Sequence, residues 1–157
     1  STAGIANRIP EAANEIGTYL ALSLHAPTDD IREMIMPINK KFKIKDLIEQ
    51  CKYYSSVVKE KITLEYVMLR DINDSVECAN QLVKLMAQFS CKVNLIEFNP
   101  WPGVQYLPTE RSEMEKFGKI IQDSGYIATI RRSRGQDIFG ACGQLRTESE
   151  KKKIYKN

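Results

Sequence analysis

Short apolar runs of strand character alternate with amphipathic helical stretches four times along this chain, and that alternation constrains the fold more than any other feature. Residues 18–24 gather their apolar side chains in one run, as a strand buried on both faces does, and Thr28, Asp29 and Asp30 follow with helix-start chemistry. From 44 to about 59, Leu47, Ile48, Cys51 and Tyr54 recur three or four residues apart, which predicts an amphipathic helix, and 62–69 then reads as a strand. Asn73, Asp74 and Ser75 cap the next helix, whose apolar face is Cys78, Ala79, Leu82, Val83, Met86 and Phe89, with a strand over 92–98 behind it. A further helix from 108 to about 124 carries Met114, Phe117, Ile120 and Ile121 and stops at Gly125, and 126–131 is the last strand.

Each crossover is long enough to set neighbouring strands parallel, so the class is α/β and every unit should be right-handed. Four such units do not close a barrel. They make either an open doubly wound sheet or part of a larger (β/α) barrel whose earlier strands lie upstream. The opening Ser1-Thr2-Ala3-Gly4 has the composition of a strand-to-helix turn, so the chain is expected to be a piece of a longer protein. With 157 residues and 43% apolar content it is the size of one domain. The packed unit is placed at 1–145, and 146–157, with Lys151, Lys152 and Lys153, is a basic tail.

The net charge of +3 suits an RNA-facing surface but is common among proteins that touch no nucleic acid. The four cysteines, Cys51, Cys78, Cys91 and Cys142, lie far apart with no C-x-x-C pair, so neither a zinc ribbon nor a complete iron–sulfur site can be drawn from them. No charged-then-apolar leader and no apolar run of membrane-spanning length occurs, and the expected setting is the reducing cytoplasm, with no membrane partner.

In α/β sheets ligands sit at the carboxyl ends of the parallel strands, where loops and helix N-termini converge. The turn-forming residues here collect at those ends: Ser1 to Gly4, Ser23-Leu24-His25-Ala26-Pro27, Arg70 to Asp74, Asn99-Pro100-Trp101-Pro102-Gly103, and, after the last strand, Arg131-Arg132-Ser133-Arg134-Gly135 and Ala141-Cys142-Gly143. The first loop can bring backbone N–H groups to a carboxylate or phosphate, though Ser-Thr-x-Gly alone is a weak pattern. His25, the single histidine, either hydrogen-bonds a ligand or satisfies its own turn. Asn99 before Pro100 is equally an Asx-turn former. The arginine cluster either grips phosphates or is solvated loop charge. Cys142 differs from the thiols on apolar helix faces: it stands beside Gly143 in a short glycine-bearing loop, where it can be approached as a nucleophile or serve only as a small turn residue.

Taken together these segments resemble the RlmN and Cfr branch of radical-SAM RNA methyltransferases. The resemblance is carried by Ser1-Thr2-Ala3-Gly4, Ser23-Leu24-His25-Ala26-Pro27, Met36-Pro37-Ile38-Asn39-Lys40, Glu65-Tyr66-Val67-Met68-Leu69, Asn73-Asp74, Cys91 to Ile96, Phe98-Asn99-Pro100-Trp101-Pro102-Gly103, and Arg134-Gly135-Gln136-Asp137-Ile138 leading to Ala141-Cys142-Gly143-Gln144-Leu145. They fall in the family's order along nearly the whole chain.

The resemblance implies the C-terminal part of a partial (β/α) radical-SAM barrel that binds S-adenosylmethionine, with Ser1, Ser23, Leu24, His25 and Asn99 among the cofactor contacts. It implies that Cys142 accepts a methyl group from one S-adenosylmethionine, and that a second molecule, cleaved at a [4Fe-4S] cluster, activates the resulting S-methylcysteine for transfer to C2 of an adenine. A second cysteine then releases the product and leaves a disulfide. A thiolate suits the carrier role, being nucleophilic enough to take the methyl and able to leave as part of a disulfide. The implied partners are 23S rRNA and tRNA. The family's cluster-binding C-x-x-x-C-x-x-C segment, its resolving cysteine and its accessory RNA-binding domain are expected upstream of Ser1, so the chain by itself is expected to be inactive. Smaller departures are Ala3 where the family has serine, Gln136 where an acidic residue is usual, and Phe139-Gly140 before Ala141. The competing readings are a Cfr-type adenine-C8 methyltransferase, against which Arg132-Ser133-Arg134-Gly135 leans, and a non-catalytic α/β domain that binds RNA or a nucleotide.

Overall fold

Alternate residues of the strand Ile62–Met68 have opposite surroundings: Ile62, Leu64, Tyr66 and Met68 are wholly buried, whereas Thr63, Glu65 and Val67 are half-buried. This strand, β2, lies inside a four-stranded parallel sheet with β1 (Ala21–Ser23), β3 (Cys91–Glu97) and β4 (Ala128–Arg131), in the spatial order β1-β2-β3-β4. The computed structural model describes residues 1–4, 6, 9–15 and 19–131. Register aligns Leu22 with Leu64, Leu64 with Val93, and Val93 with Ala128, so the buried residues of all the strands share one face.

The helices are α1 (Ile9–Glu15), α2 (Asp29–Ile35), α3 (Ile44–Val57), α4 (Val76–Met86) and α5 (Arg111–Asp123), with a turn of 3₁₀ helix at Pro37–Lys40. Leu47, Ile48, Cys51 and Tyr54 of α3, Cys78, Ala79, Leu82 and Met86 of α4, and Met114, Phe117 and Ile121 of α5 join the strands' buried face in one core. The rings of Tyr66 and Phe117 meet with centroids 5.4 Å apart. Burying each large apolar side chain of this set contributes about 1.5–3 kcal/mol before entropy is charged against it.

The strand order decides between the two architectures. A doubly wound sheet reverses direction and places helices on both faces, whereas here each strand is added on the same side as the last. Right-handed crossovers then put the helices on one face, the arrangement of a barrel wall. Thr2 extends the pattern beyond β1, pairing in parallel with Leu22. Its N–H donates to the Ala21 carbonyl, and Ser23 N–H donates back to the Thr2 carbonyl, both at 2.9 Å.

Several boundaries differ from the sequence expectation: β1 covers only Ala21–Ser23 and β4 begins at Ala128. Helix α5 starts at Arg111 and not at 108, because Pro108 pairs antiparallel with Leu69 and the Thr109 hydroxyl donates to Asp74 at 2.8 Å. The cap of α4 is Ser75 alone, whose hydroxyl accepts from Cys78 N–H at 3.1 Å. Asn73 is turned inward and fully buried. Among the described residues no helix is long and apolar enough to cross a membrane.

Candidate functional site

At the carboxyl end of β1 the chain turns sharply, and His25 takes a left-handed backbone conformation with φ of 60°. The N–H groups of Leu24 and His25 both donate to the Glu65 carbonyl, at 3.1 and 3.2 Å, which ties the turn to β2. The His25 side chain closes the same link from the other side, its Nδ1 accepting from the backbone N–H of Val67 at 3.1 Å. An Nδ1 that accepts carries no hydrogen, so in the neutral ring the proton is on Nε2, which is left as a donor. Burial, and after it the positive charge of Arg32, lowers the imidazole pKa from 6.5 to about 4.

Asn73 supports this turn from behind. Its Nδ2 donates to the carbonyls of His25 at 2.8 Å and Val67 at 2.7 Å, while its Oδ1 accepts from Leu69 N–H at 2.7 Å. The Tyr66 hydroxyl donates to the Asn73 carbonyl at 2.7 Å. A buried amide with its polar atoms engaged fixes the loop, because any rearrangement leaves donors without acceptors.

Arg32 clamps the opposite flank. Its side chain is completely buried, and it donates from Nε to the Leu24 carbonyl at 3.0 Å and from Nη2 to the carbonyls of Ser23 at 3.1 Å and Ala3 at 3.0 Å. Nη1 donates to Asn39 Oδ1 at 3.0 Å, and Asn39 Nδ2 passes the link to Asp29 Oδ1 at 2.9 Å. Gly4, at φ of 99°, makes room: a Cβ there would stand 2.7 Å from Arg32 Nη2. One guanidinium thus binds the first loop, the β1 turn and the segment Pro37–Lys40 into a single piece, with the multiple donors that planar group supplies.

The residues singled out in the sequence fall as follows. Ser23, Leu24 and His25 are contiguous in this turn. Leu24 has its side chain in the core, its N–H on Glu65 and its carbonyl on Arg32, so toward the strand end it offers only the carbonyl's second lone pair. Ser1 is exposed beside the Thr2 pairing. Asn99 is half-buried two residues past β3, next to Phe98, whose ring packs edge-on against Trp101 and Tyr106. Cys142 and the arginine-rich segment beyond Arg131 lie outside the described residues.

Sequence reasoning passed over Arg32, read Asn73 as a helix cap and gave Asn39 no structural role, although these are the polar side chains that hold the site. No local signal marks Arg32: within α2, Asp-Asp-Ile-Arg-Glu-Met-Ile, it is the one buried residue, while the apolar Met34 is exposed. A cleft of about 930 Å³ opens elsewhere, among the first turns of α2, α4 and α5, and is lined by Asp30, Asp74, Glu77 and Glu110 with Arg70. It shares no residue with the β1 turn.

Among the described residues no group of metal-ligating side chains could hold a metal ion. Cys51, Cys78 and Cys91 are buried on the helix side of the sheet, and burial pushes the thiols of Cys51 and Cys91 up to about 12, far from thiolate ligands. These residues do not fit an iron–sulfur cluster.

No family model matches the chain. Over 152 residues it is 51% identical to the dual-specificity RNA methyltransferase RlmN of Agrobacterium fabrum and 50% identical to that of Rhizobium meliloti. Each alignment covers 96% of this chain and 37% of the relative, so the chain spans little more than a third of the length of those proteins. A crystal structure of a radical SAM methyltransferase from Sphaerobacter thermophilus matches with a TM-score of 0.88 and 38% identity, over 91% of this chain and 42% of that one. A domain of the pyruvate-formate lyase-activating enzyme from Bacteroides vulgatus matches with a TM-score of 0.64 at 10% identity, over 80% of this chain and 73% of that one, a likeness of fold alone. Half-identity along nearly the whole chain, joined to the likeness to a solved radical-SAM methyltransferase, shows an RlmN-like chain that corresponds to little more than a third of those proteins.

Proposed function

We propose that the full-length protein is a cytoplasmic RNA methyltransferase that methylates C2 of an adenine in 23S rRNA and in tRNA by radical S-adenosylmethionine chemistry, with the methyl group carried on Cys142. The names of the relatives support RNA methylation. The observation that carries the cofactor assignment is the β1 turn: Ser23, Leu24 and His25 held rigid by Arg32, Asn73 and the main chain of β2, at the strand edge where barrel folds bind ligands.

In this reading Ser1, Ser23, Leu24, His25 and Asn99 hold S-adenosylmethionine, which supplies the methyl group and, together with a [4Fe-4S] cluster, the radical. The cluster's ligands are assigned to the part of the protein outside this chain. His25 contributes a neutral Nε2–H donor and not a base, since its pKa of about 4 keeps it unprotonated and its Nδ1 is occupied by Val67. Ser23 contributes a hydroxyl on the face of the sheet away from the helices. The Cys142 thiol takes up the methyl and presents it to the base. Bringing an adenine to such a site requires it to leave its stack. Residues 1–145 are assigned to the C-terminal part of the barrel and 146–157 to a basic tail outside it.

Mass spectrometry of nucleosides from 23S rRNA and tRNA, taken from cells with the gene intact or deleted, tests the assignment. Loss of 2-methyladenosine on deletion is the expected result. Loss of 8-methyladenosine would move the protein to the C8 enzymes, and unchanged nucleosides would make it a binding module.

A further inference from the structure

On the face of the sheet turned away from the helices, one register row is polar from edge to edge. Ser23 on β1 pairs with Glu65 on β2, Glu65 with Asn94 on β3, and Asn94 with Thr129 on β4. The row is bonded in one direction. The Thr129 hydroxyl donates to Asn94 Oδ1, and Asn94 Nδ2 donates to Glu65 Oε1 at 3.1 Å. The bond to Glu65 sets which way round the Asn94 amide sits, its Nδ2 toward the carboxyl oxygen, and makes the Glu65 carboxyl the end of the relay.

Its second oxygen, Oε2, is buried and without a hydrogen-bond partner; among the described residues only Ser55 Oγ shares that condition. A serine hydroxyl can rotate to find an acceptor, but a carboxyl oxygen held through its neighbour by Asn94 cannot swing away. A buried acceptor left unmatched is costly enough that native structures rarely contain one without a reason. This one belongs to the residue whose main-chain carbonyl receives Leu24 and His25, in the row that begins at Ser23.

We propose that Glu65 is a ligand-binding residue whose Oε2 accepts a hydrogen bond from a ribose hydroxyl or an amino group of an adenosyl ligand lodged against the face of the sheet turned away from the helices, beside the Ser23–His25 turn. The proposal rests on the reading of that turn as the S-adenosylmethionine site and adds a contact from mid-strand. An adenosyl sulfonium ligand offers only donors of this kind to a carboxylate: two ribose hydroxyls, the 6-amino group of adenine and the ammonium of the methionine arm. An acidic side chain selects such donors and repels a phosphate or carboxylate presented to the same spot. Acidic residues take ribose hydroxyls in the same way in dinucleotide-binding α/β sheets.

The test is calorimetric binding to the full-length protein, purified with its cluster, as wild type and as Glu65→Gln. Glutamine keeps an oxygen for Asn94 but turns the other end into a donor. The probes are S-adenosylhomocysteine, its 2′-deoxy, 3′-deoxy and inosine counterparts, and 5′-methylthioadenosine, which lacks the ammonium. Glu65→Gln is expected to weaken S-adenosylhomocysteine binding roughly ten- to a hundredfold, the usual reach of one charge-assisted hydrogen bond. For the one analogue missing the bonded donor, wild type is already weakened and the substitution changes little further. Which analogue behaves so identifies the donor. Equal binding by both proteins, or the same loss for every probe, overturns the assignment, the latter marking a loosened sheet. A wild type that fails to bind S-adenosylhomocysteine overturns the reading of the turn as well, whereas binding that ignores Glu65 overturns only this contact.

Discussion

The backbone N–H of Val67 donates to Nδ1 of His25 across 3.1 Å, a bond between residues 42 apart in sequence that fixes the tautomer of the chain's single histidine. The ring is therefore expected as the Nε2–H form. Nitrogen NMR of histidine-labelled full-length protein, with His25 assigned by comparison with His25→Asn, checks this. The resonances should stay those of a neutral ring down to about pH 5, since the pKa lies near 4. Titration near 6.5 would contradict the burial argument.

The same shift links stability to pH. A histidine whose folded pKa lies below its unfolded value binds fewer protons when folded, so its contribution is fully present above about 6.5 and is lost as pH falls through about 4. The expected loss attributable to His25 between those values is on the order of 2–3 kcal/mol. Urea unfolding of wild type and His25→Asn at pH 7.5 and 4.5 measures it, asparagine being chosen because it tolerates the left-handed backbone. The gap between the two proteins should narrow at the lower pH.

Arg32→Lys should destabilise the protein by about 2–4 kcal/mol, because a lysine supplies a point charge where a planar fork now serves Leu24, Ser23, Ala3 and Asn39. Burial already lowers the Arg32 pKa, and a buried ammonium with fewer acceptors is worse placed. Thermal unfolding and S-adenosylhomocysteine affinity should fall together. A melting temperature unchanged from wild type would show that the clamp holds nothing.

Gly4→Ala is expected to cost about 1–3 kcal/mol, from a strained positive φ and from crowding of the new methyl against Arg32 and Leu47. Combined with Arg32→Lys, the losses should be less than additive, since removing Nη2 removes the nearest clash. A double-mutant cycle by chemical denaturation reads the coupling directly, and strict additivity would mean the two do not touch in solution.

Asn73→Asp deprives the carbonyls of His25 and Val67 of their donor and should cost about 2–4 kcal/mol. Asn80, exposed on α4, provides the control: Asn80→Asp should stay within about 0.5 kcal/mol of wild type. The difference in unfolding midpoint between the two variants is the measurement.

Apolar periodicity alone was enough to locate α3 and α4, because Leu47, Ile48, Cys51 and Tyr54, or Cys78, Ala79, Leu82 and Met86, meet the core at the spacing their helix dictates. Strand order was not legible: it depends on pairings such as Glu65 with Asn94, which no local pattern encodes. For the same reason Asn73 reads as one of three capping residues, whereas its amide spans to His25, and the helix before Gly125 reads as starting at 108, where Pro108 and Thr109 are in fact engaged with Leu69 and Asp74. The turn Ser23-Leu24-His25 was visible from its place after an apolar run. The guanidinium that holds it was not, since a charged residue within Asp-Asp-Ile-Arg-Glu looks solvated until its carbonyl acceptors are known.

The most direct test of the methyl-carrier assignment is the mass of the tryptic peptide 135–146, which contains Cys142, from full-length protein purified out of cells that build iron–sulfur clusters. One added methyl group on Cys142 is the expected result. An unmodified thiol, in protein shown to hold its cluster and to bind S-adenosylmethionine, would contradict it.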